Sequence, residues 1–517
     1  MQQIAAFSNG QGGYSAGKQN RLTANWSRTT LTENQITRGQ LDQLRATSWD
    51  LWRNNPYVRK IVRTLETKVI GRGLHPQPLV KTIDGQPHTA FRKRARELWW
   101  AFAKSCDVRG LPGRGGLDLV EMQKLALRST ILSGNVLTRL VMYPKAKNGN
   151  PVPMALHAID AQRLSRDTKG DGFAEGNQFY RGVELDEHGA RVAYHIETRI
   201  IDELQTQTNK VTRVGASEIV HLYAQDDVDQ VLGVPWFAPA IFQLKDTGDL
   251  QYNVMKSAAV MSCFTVGYRL GTGQTKLGLN GTQNDASQLV DDDGNRISRV
   301  QPGMLINLGQ GGDLQAVNPS QPATNLESFI QHLLRGTGAA LPGVKASTVT
   351  GDYRNASYSS ERSADNDCWP EMESVQDWFA AAWCQPVYEQ VVRQGMLSGW
   401  FVGVVSAEEF EARERDYLDT AWQGPVPRSI NPTDDQSAAK LRIANGNSSP
   451  QIECGAMGRD PSDVIRDLSE WVAMCQAAGL PDWYIATSLG QTKQPVDPSQ
   501  HVDQSQQGAA ADAQQAN

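Results

Sequence analysis

Residues 236–264 run for nearly 30 positions with only Pro239, close to the start, as a helix breaker, and they set Ile241, Leu244, Met255 and Ala259 on one side. That spacing predicts one helix of about 30 residues, on the order of 40 Å long at about 1.5 Å per residue. Most globular helices run about 8 to 20 residues, so this one reaches beyond what closing a compact core requires. The chain has room for several cores around it. Its 517 residues point to about three domains. A hydrophobic share of 39% excludes wholesale disorder once Gly is counted with the apolar residues.

Charge and apolar patterning remove further classes. With 51 basic against 56 acidic residues the formal net charge is -5, so no overall positive excess exists to hold nucleic acid tightly by displacing phosphate counterions. The longest apolar run covers 378–384, seven residues, where a bilayer span needs about 18 or more. No basic residue precedes Lys18, so a secretory signal is not expected. Cys106, Cys263, Cys368, Cys384, Cys454 and Cys475 form no C-x-x-C pair. They read as reduced, mostly buried thiols of a cytoplasmically made protein.

The first forty or so residues and the stretch 491–517 are polar and Gln-rich, and both are expected to be disordered. Between them, Asn55-Pro56 caps a helix with Val58, Ile61, Val62, Leu65 and Val69 at helical spacing, stopped at Gly71. Helices are expected over 91–104 and 117–132, strands over 136–141, 192–201 and 219–223, with 147–150 as a hairpin turn. The fold class is α+β. Beyond the long helix, 265–322 carries short strand-like pieces among Gly, Asn and Asp, an inserted subdomain. Helical pattern resumes over 325–341 and again over 357–392, where Pro370 and Pro386 predict a kink or break. A Pro-rich linker then leads to shorter helices, including 461–478.

Several apparent motifs dissolve in context. Gly12-x-x-x-x-Gly17-Lys18 matches a phosphate-cradling loop, but Gln19 stands where the magnesium-binding hydroxyl belongs, and no buried strand precedes it. No H-E-x-x-H or G-x-S-x-G occurs, and the eight histidines are dispersed. His221, in an expected strand, reads as a hydrogen-bonded structural residue. Asp291-Asp292-Asp293-Gly294 lacks the alternating ligands of a calcium loop and reads as a turn. Asp226, Asp227 and Asp229 read as a solvated loop. No cofactor or metal is expected.

Residues 343–356 show neither helical nor strand periodicity between two expected helices, and structureless stretches of that size inside a folded body are usually functional. Over 343–367, Lys345, Arg354 and Arg362 nearly cancel Asp352, Glu361, Asp365 and Asp367, while Ser347, Thr348, Thr350 and Asn355 add hydroxyl and amide groups. A surface of this kind touches phosphates without holding them, which suits a polyanion sliding past. On composition alone an exposed connection with no ligand is the commoner case, and both readings stay open.

The run from Asp352-Tyr353-Arg354-Asn355 through Ser359-Ser360-Glu361-Arg362 resembles the corresponding segment of portal proteins of lambda-like tailed bacteriophages. Trp52-Arg53-Asn54-Asn55-Pro56, Ile159-Asp160-Ala161-Gln162-Arg163, Glu218-Ile219-Val220-His221, Gly233-Val234-Pro235-Trp236 and Trp422-Gln423-Gly424-Pro425 resemble that family in the same order, across about residues 45 to 485. The resemblance implies a non-enzymatic subunit of a closed ring of about twelve copies at one capsid vertex. Double-stranded DNA would pass through the ring during packaging and ejection, and the ring would bind terminase, major capsid and scaffold proteins and neck or tail connector proteins, with no membrane. It implies a portal-type fold: a flexible arm over 1–45, a wing over 46–233, a stem helix over 234–264, a clip over 265–322 and a second stem helix over 323–342. A tunnel loop over 343–356 would follow, then a long wing helix over 357–397, a return segment over 398–450, a crown over 451–490 and a Gln-rich tail over 491–517. The channel-facing residues would be Lys345, Ser347, Thr348, Thr350, Asp352, Tyr353, Arg354 and Asn355. A terminase-like or nuclease enzyme and another ring-forming neck or baseplate protein are the alternatives.

Overall fold

The computed structural model describes residues 31–147, 149–198, 210–262, 266–268, 305–307, 326–354, 357–427, 432–457, 459 and 461–488. The polar ends expected to be disordered, apart from 31 onward, lie outside them, as does the Gly12 to Lys18 motif. The chain divides into two compact units, Met1–Pro425 and Val426–Asn517.

The first unit contains an early helix that hydrophobic spacing does not announce. α1 (Glu33–Asn54) is closed by a capping box of Thr32 and Gln35, so its first half, up to residue 45, occupies residues expected to belong to a flexible arm. Its buried positions are Thr37, Leu41, Arg45 and Ser48, a helical stripe that is mostly polar and therefore silent in a hydrophobicity pattern. Polar anchors hold it: Arg45 Nε donates to the Ser133 carbonyl at 2.8 Å and Trp49 Nε1 to Ser133 Oγ at 2.8 Å. A guanidinium at a helix C-terminus is well placed against the unpaired carbonyls there.

α2 (Pro56–Leu65) starts as expected, with Asn55 accepting from the Tyr57 and Val58 amides, and widens into a π turn over Glu66–Ile70 before Gly71. β1 (His75–Pro78), α3 (Thr89–Ala103) and α4 (Leu119–Ser133) follow. At Gly134, which ends α4 with φ 77°, a Cβ would lie 2.3 Å from the Gly233 carbonyl. Only glycine fits both the left-handed backbone and the approach.

β2 (Asn135–Met142) pairs antiparallel with β3 (Met154–Asp160) on one side. The small sheet of β4 (Gln178–Tyr180), β5 (Val183–Leu185), β6 (Arg191–Glu197) and β7 (Val211–Gly215) lies in that order. β8 (Ile219–Tyr223) returns to the other side of β2. Alternation along the central strand divides the core: Val136 and Leu140 join the main helical core, and Leu137 joins a second core with Tyr194, Ile196 and Ile219. The expected strand 192–201 ends at Glu197; residues 199–209 lie outside the described ones, as does Asn148 of the expected turn.

The long helix starts later than its spacing predicts. A 3-10 turn over Ala238–Ala240 contains Pro239, and α5 runs Ile241–Ser262, 22 residues, because proline lacks the amide that would have extended the α ladder. Ile241, Leu244 and Thr247 are buried in its first turns. Beyond them Tyr252 and Met255 are exposed, and Gln251 Nε2 donates to Tyr57 Oη at 3.1 Å. Of the inserted subdomain, β9 (Val266–Tyr268) and β10 (Leu305–Asn307) pair in parallel; the rest of 265–322, Asp291 to Asp293 included, lies outside the described residues. α6 (Leu326–Ala339) packs on α5, with Gly336 so close to Gln243 that a Cβ would meet its side chain at 2.5 Å.

Past the connection at 340–357, the next long helix (Tyr358–Phe379, α8) carries Pro370 without breaking, a π turn over Ala380–Cys384 precedes Pro386, and α9 is Gln385–Leu397. The wider turn absorbs the amide that Pro386 lacks, so the chain stays helical where a kink or a break was expected. Trp383, wholly buried, donates from Nε1 to Thr138 Oγ1 at 3.0 Å and ties this turn to the central strand. α10 (Ala407–Ala412) and α11 (Glu414–Leu418) lead to β11 (Thr420–Gln423), which pairs with β1.

The second unit holds α12 (Pro432–Ala444), α13 (Pro450–Ala456), α14 (Pro461–Ala477) and α15 (Asp482–Ser488). Ala439, Cys475 and Ile485 are its buried apolar residues among those described, whereas Ile465, Leu468, Trp471 and Met474 of α14 stay exposed. The described cysteines are free, and Cys106, Cys384 and Cys475 are buried. No described helix is long and apolar enough to cross a membrane.

Candidate nucleic-acid interface

The segment between α6 and α8 is folded more than its composition suggests. Residues Ala346–Thr350 form one short helix, α7, ended by Gly351 at φ 69°. Val344, Thr348 and Val349 are buried, and α7 packs against α2. Gly343 is fixed by conformation and space: φ is 61°, and a Cβ would meet Met372 Cγ at 2.7 Å and the Cys368 carbonyl at 2.8 Å. Small polar residues concealed this helix because five residues are too few to show a period, and its apolar anchors flank the hydroxyl groups.

The candidate residues therefore divide. Thr348 is buried, and Lys345 is turned inward, with its side chain 12% exposed and its ammonium between Glu361 and Asp365 Oδ1, the latter at 2.9 Å. Burial alone would lower the Lys345 pKa, but the bonds to Glu361 and Asp365 raise it. Ser347 reaches Glu361 at 3.4 Å, and Thr350 Oγ1 donates to the Ala346 carbonyl at 3.0 Å while accepting from the Asp352 amide at 3.2 Å. Lys345 and Thr348 thus point inward, and the half-buried Ser347 and Thr350 bond within the turn. Asn355 lies outside the described residues.

What faces outward is the tip. Gly351, Tyr353 and Arg354 are exposed, as is Ser357, whose hydroxyl caps α8. Arg354 is bidentate on Asp352, with Nη2 at 2.7 Å and Nε at 3.0 Å, and it also pairs with Glu327 of α6. Donation from the Arg354 guanidinium and amide brings the Asp352 carboxyl down to about 2, so the pair stays ionic across ordinary pH. Lys345 at the base and Arg354 at the tip are thus each answered by two carboxylates of the same chain. The surface presents hydroxyl and aromatic groups and a neutralised guanidinium.

The other motifs hold to their structural readings. His221 accepts from Tyr194 Oη at Nδ1 (3.2 Å) and donates from Nε2 to Asn135 Oδ1 (3.0 Å), and burial drives its pKa well down. Asp226, Asp227 and Asp229 are exposed in a loop organised by Gln230. Among the described residues no group of His, Cys, Asp and Glu could hold a metal ion. Sequence reasoning passed over a buried cluster: Glu184 accepts from Arg213 Nε at 2.7 Å, Asn177 Nδ2 at 2.6 Å and His195 Nε2 at 3.1 Å, and His195 Nδ1 accepts from the Gly170 amide at 2.8 Å. Its members are far apart in sequence, and with all these donors satisfied it braces the small sheet.

Comparison with known proteins places these features in a family. Residues 19–376 match the family described as phage portal protein, lambda family. The chain is 22% identical over 438 residues to a probable portal protein of Halomonas phage phiHAP-1, covering 83% of this chain and 80% of the relative. It is 20% identical over 474 residues to portal protein B of Escherichia phage lambda, covering 84% and 85%. Among solved structures it is similar to a chain from the neck of a native gene transfer agent particle, at a TM-score of 0.40 and 14% identity, covering 85% of this chain and 98% of that one. The matched span takes in the central sheet, α5, α6 and the self-neutralised tip: the chain belongs to the lambda family of phage portal proteins, and its role is that of a portal.

Proposed function

We propose that this chain is the repeating subunit of a ring at one capsid vertex, through which double-stranded DNA enters during packaging and leaves during ejection, and that residues 351–354 with the start of α8 line its channel. The observation that carries this is the pairing of Arg354 with Asp352 and Glu327, and of Lys345 with Glu361 and Asp365. A duplex moving past such a tip meets donors and an aromatic ring, but no unneutralised cation of the turn that would release phosphate counterions and hold it. Tyr353, Arg354 and Ser357 are the contacts, while Lys345, Ser347, Thr348 and Thr350 support them from behind.

Association of copies into the ring, about twelve in this reading, is supported by the apolar side chains left open. Phe242, Tyr252 and Met255 of α5, Phe329 of α6 and the exposed residues of α14 are more than a lone chain keeps facing water without purpose. Obligate contacts bury about 2,000 Å² or more. In this reading residues 46–233 are the wing, α5 and α6 the stem, 265–322 the clip, 357–397 the long wing helix, 398–450 the return segment and 451–490 the crown, in a virion component assembled in the host cytoplasm. The ring is a conduit without catalysis of its own. Terminase supplies the work of packaging, and capsid, scaffold and neck or tail proteins dock around it.

The test is the double variant Tyr353→Ala with Arg354→Ala in a phage carrying this chain. Portal rings form normally, and the yield of DNA-filled heads falls by about tenfold or more as the wall loses its phosphate contacts and leaves Asp352 and Glu327 bare. An unchanged yield contradicts the assignment of the tip. Deleting all of 343–356 is a poorer test, because Val344 and Val349 belong to the core.

A further inference from the structure

α2 keeps opposite faces for different purposes. Val58, Ile61, Val62 and Leu65 are buried, whereas Arg59, Lys60 and Arg63 are exposed along the outer side. Several cations elsewhere in the chain are answered by a carboxylate of their own subunit: Arg109 with Asp107, Arg128 with Glu66, Arg139 with Glu218, Arg213 with Glu184. The three on α2 meet none among the described residues, and Arg59 rests over the Trp52 ring at 5.3 Å. α8 carries the opposite surplus. Asp367, Glu373 and Asp377 are exposed, and among the described residues no cation pairs with them; Glu373 accepts from Trp369 Nε1.

We infer that the cationic ridge Arg59, Lys60 and Arg63 of one subunit docks on the acidic outer face Asp367, Glu373 and Asp377 of α8 in the next. This rests on the ring reading above. A ring is closed by heterologous contacts, in which one patch meets a different patch of the neighbouring copy. Two uncompensated sets of opposite sign on one chain are the arrangement such a contact uses, and charge complementarity of this kind fixes register and rejects wrong pairings more than it adds affinity. A nucleic-acid partner for the ridge would leave the acidic face of α8 unaccounted for.

The experiment uses the full chain in three forms: Arg59→Glu with Lys60→Glu and Arg63→Glu; Asp367→Lys with Glu373→Lys and Asp377→Lys; and all six together. Assembly is read by light scattering and native mass spectrometry, folding by circular dichroism. Each triple reversal raises the protomer concentration for half-assembly by about tenfold or more, and the six-fold variant returns it to within about threefold of wild type. Intact rings from either triple variant, or no recovery in the six-fold variant, overturn the inference. An α2 reversal that leaves rings intact but lowers duplex DNA binding transfers the ridge to nucleic acid and overturns it too. If a reversed chain misfolds, wild-type rings decide: they loosen between about 0.05 and about 1 M salt if the contact is ionic, and indifference to salt overturns it. A wild-type chain that never forms rings removes the ring reading itself, an outcome distinct from wild-type rings that tolerate reversal.

Discussion

At the scale of single residues, buried polar groups rather than apolar ones set the positions that matter most. Arg45 is the anchor of α1, donating to the carbonyl at the end of α4 from a site 2% exposed, and burial lowers its pKa to about 10. Arg45→Ala removes that bond and the packing of the aliphatic stem, so a loss of about 2 kcal/mol is expected, read as a lower Tm with increased exchange over 33–54. Glu184 gives a pH-dependent counterpart. Its burial alone raises the carboxyl, but donation from Arg213, Asn177, the Ala174 amide and His195 wins and brings it to about 2, from an ordinary value of 4.5. A depressed carboxyl contributes stability that is present above 4.5 and lost as pH falls toward about 2. Since one pKa unit is worth about 1.4 kcal/mol, the contribution is on the order of 3 kcal/mol. Glu184→Gln flattens the acid limb of stability against pH in that window; an unaltered limb contradicts the assignment.

At the scale of elements, Lys345 joins α7 to α8 through Glu361 and Asp365 and holds the base of the turn while the tip stays outside. Lys345→Met should leave α2 and α8 intact and raise amide exchange over 345–354 by about tenfold, measured by mass spectrometry; unchanged exchange argues that Val344 and Val349 alone hold the turn. The same elements mark what the sequence made legible. α2, β8 and the start of α8 could be read because Asn55-Pro56, the apolar alternation of 219–223 and Ser357 are local signals, each acting within a few residues. α1 escaped because its buried stripe is Thr37, Arg45 and Ser48 beside a single leucine. α7 escaped because its anchors are tertiary. The start of α5 was placed too early because apolar spacing, even with Pro239 marked as a breaker, does not register that the turn there is 3-10. Within the candidate site, the residue types were legible and their orientation was not. Whether Thr348 faces in depends on packing of α7 against α2, which lies far earlier in the chain.

At the scale of the whole molecule, α5, α6 and α14 leave apolar side chains uncovered, and α2 and α8 expose charges of opposite sign. A net charge of -5 per copy makes any ring of these subunits strongly negative. Such an assembly repels DNA in general, and in the proposed reading the duplex passes a channel wall whose cations are already paired. The most direct measurement is electron cryomicroscopy of the assembled full-length protein. The account predicts a closed ring with a central opening about 20 Å or more across, wide enough for a duplex and its grooves, and with Tyr353 and Arg354 of every copy at its wall. A protein that stays monomeric, or a ring that carries those residues on its outer rim, contradicts it.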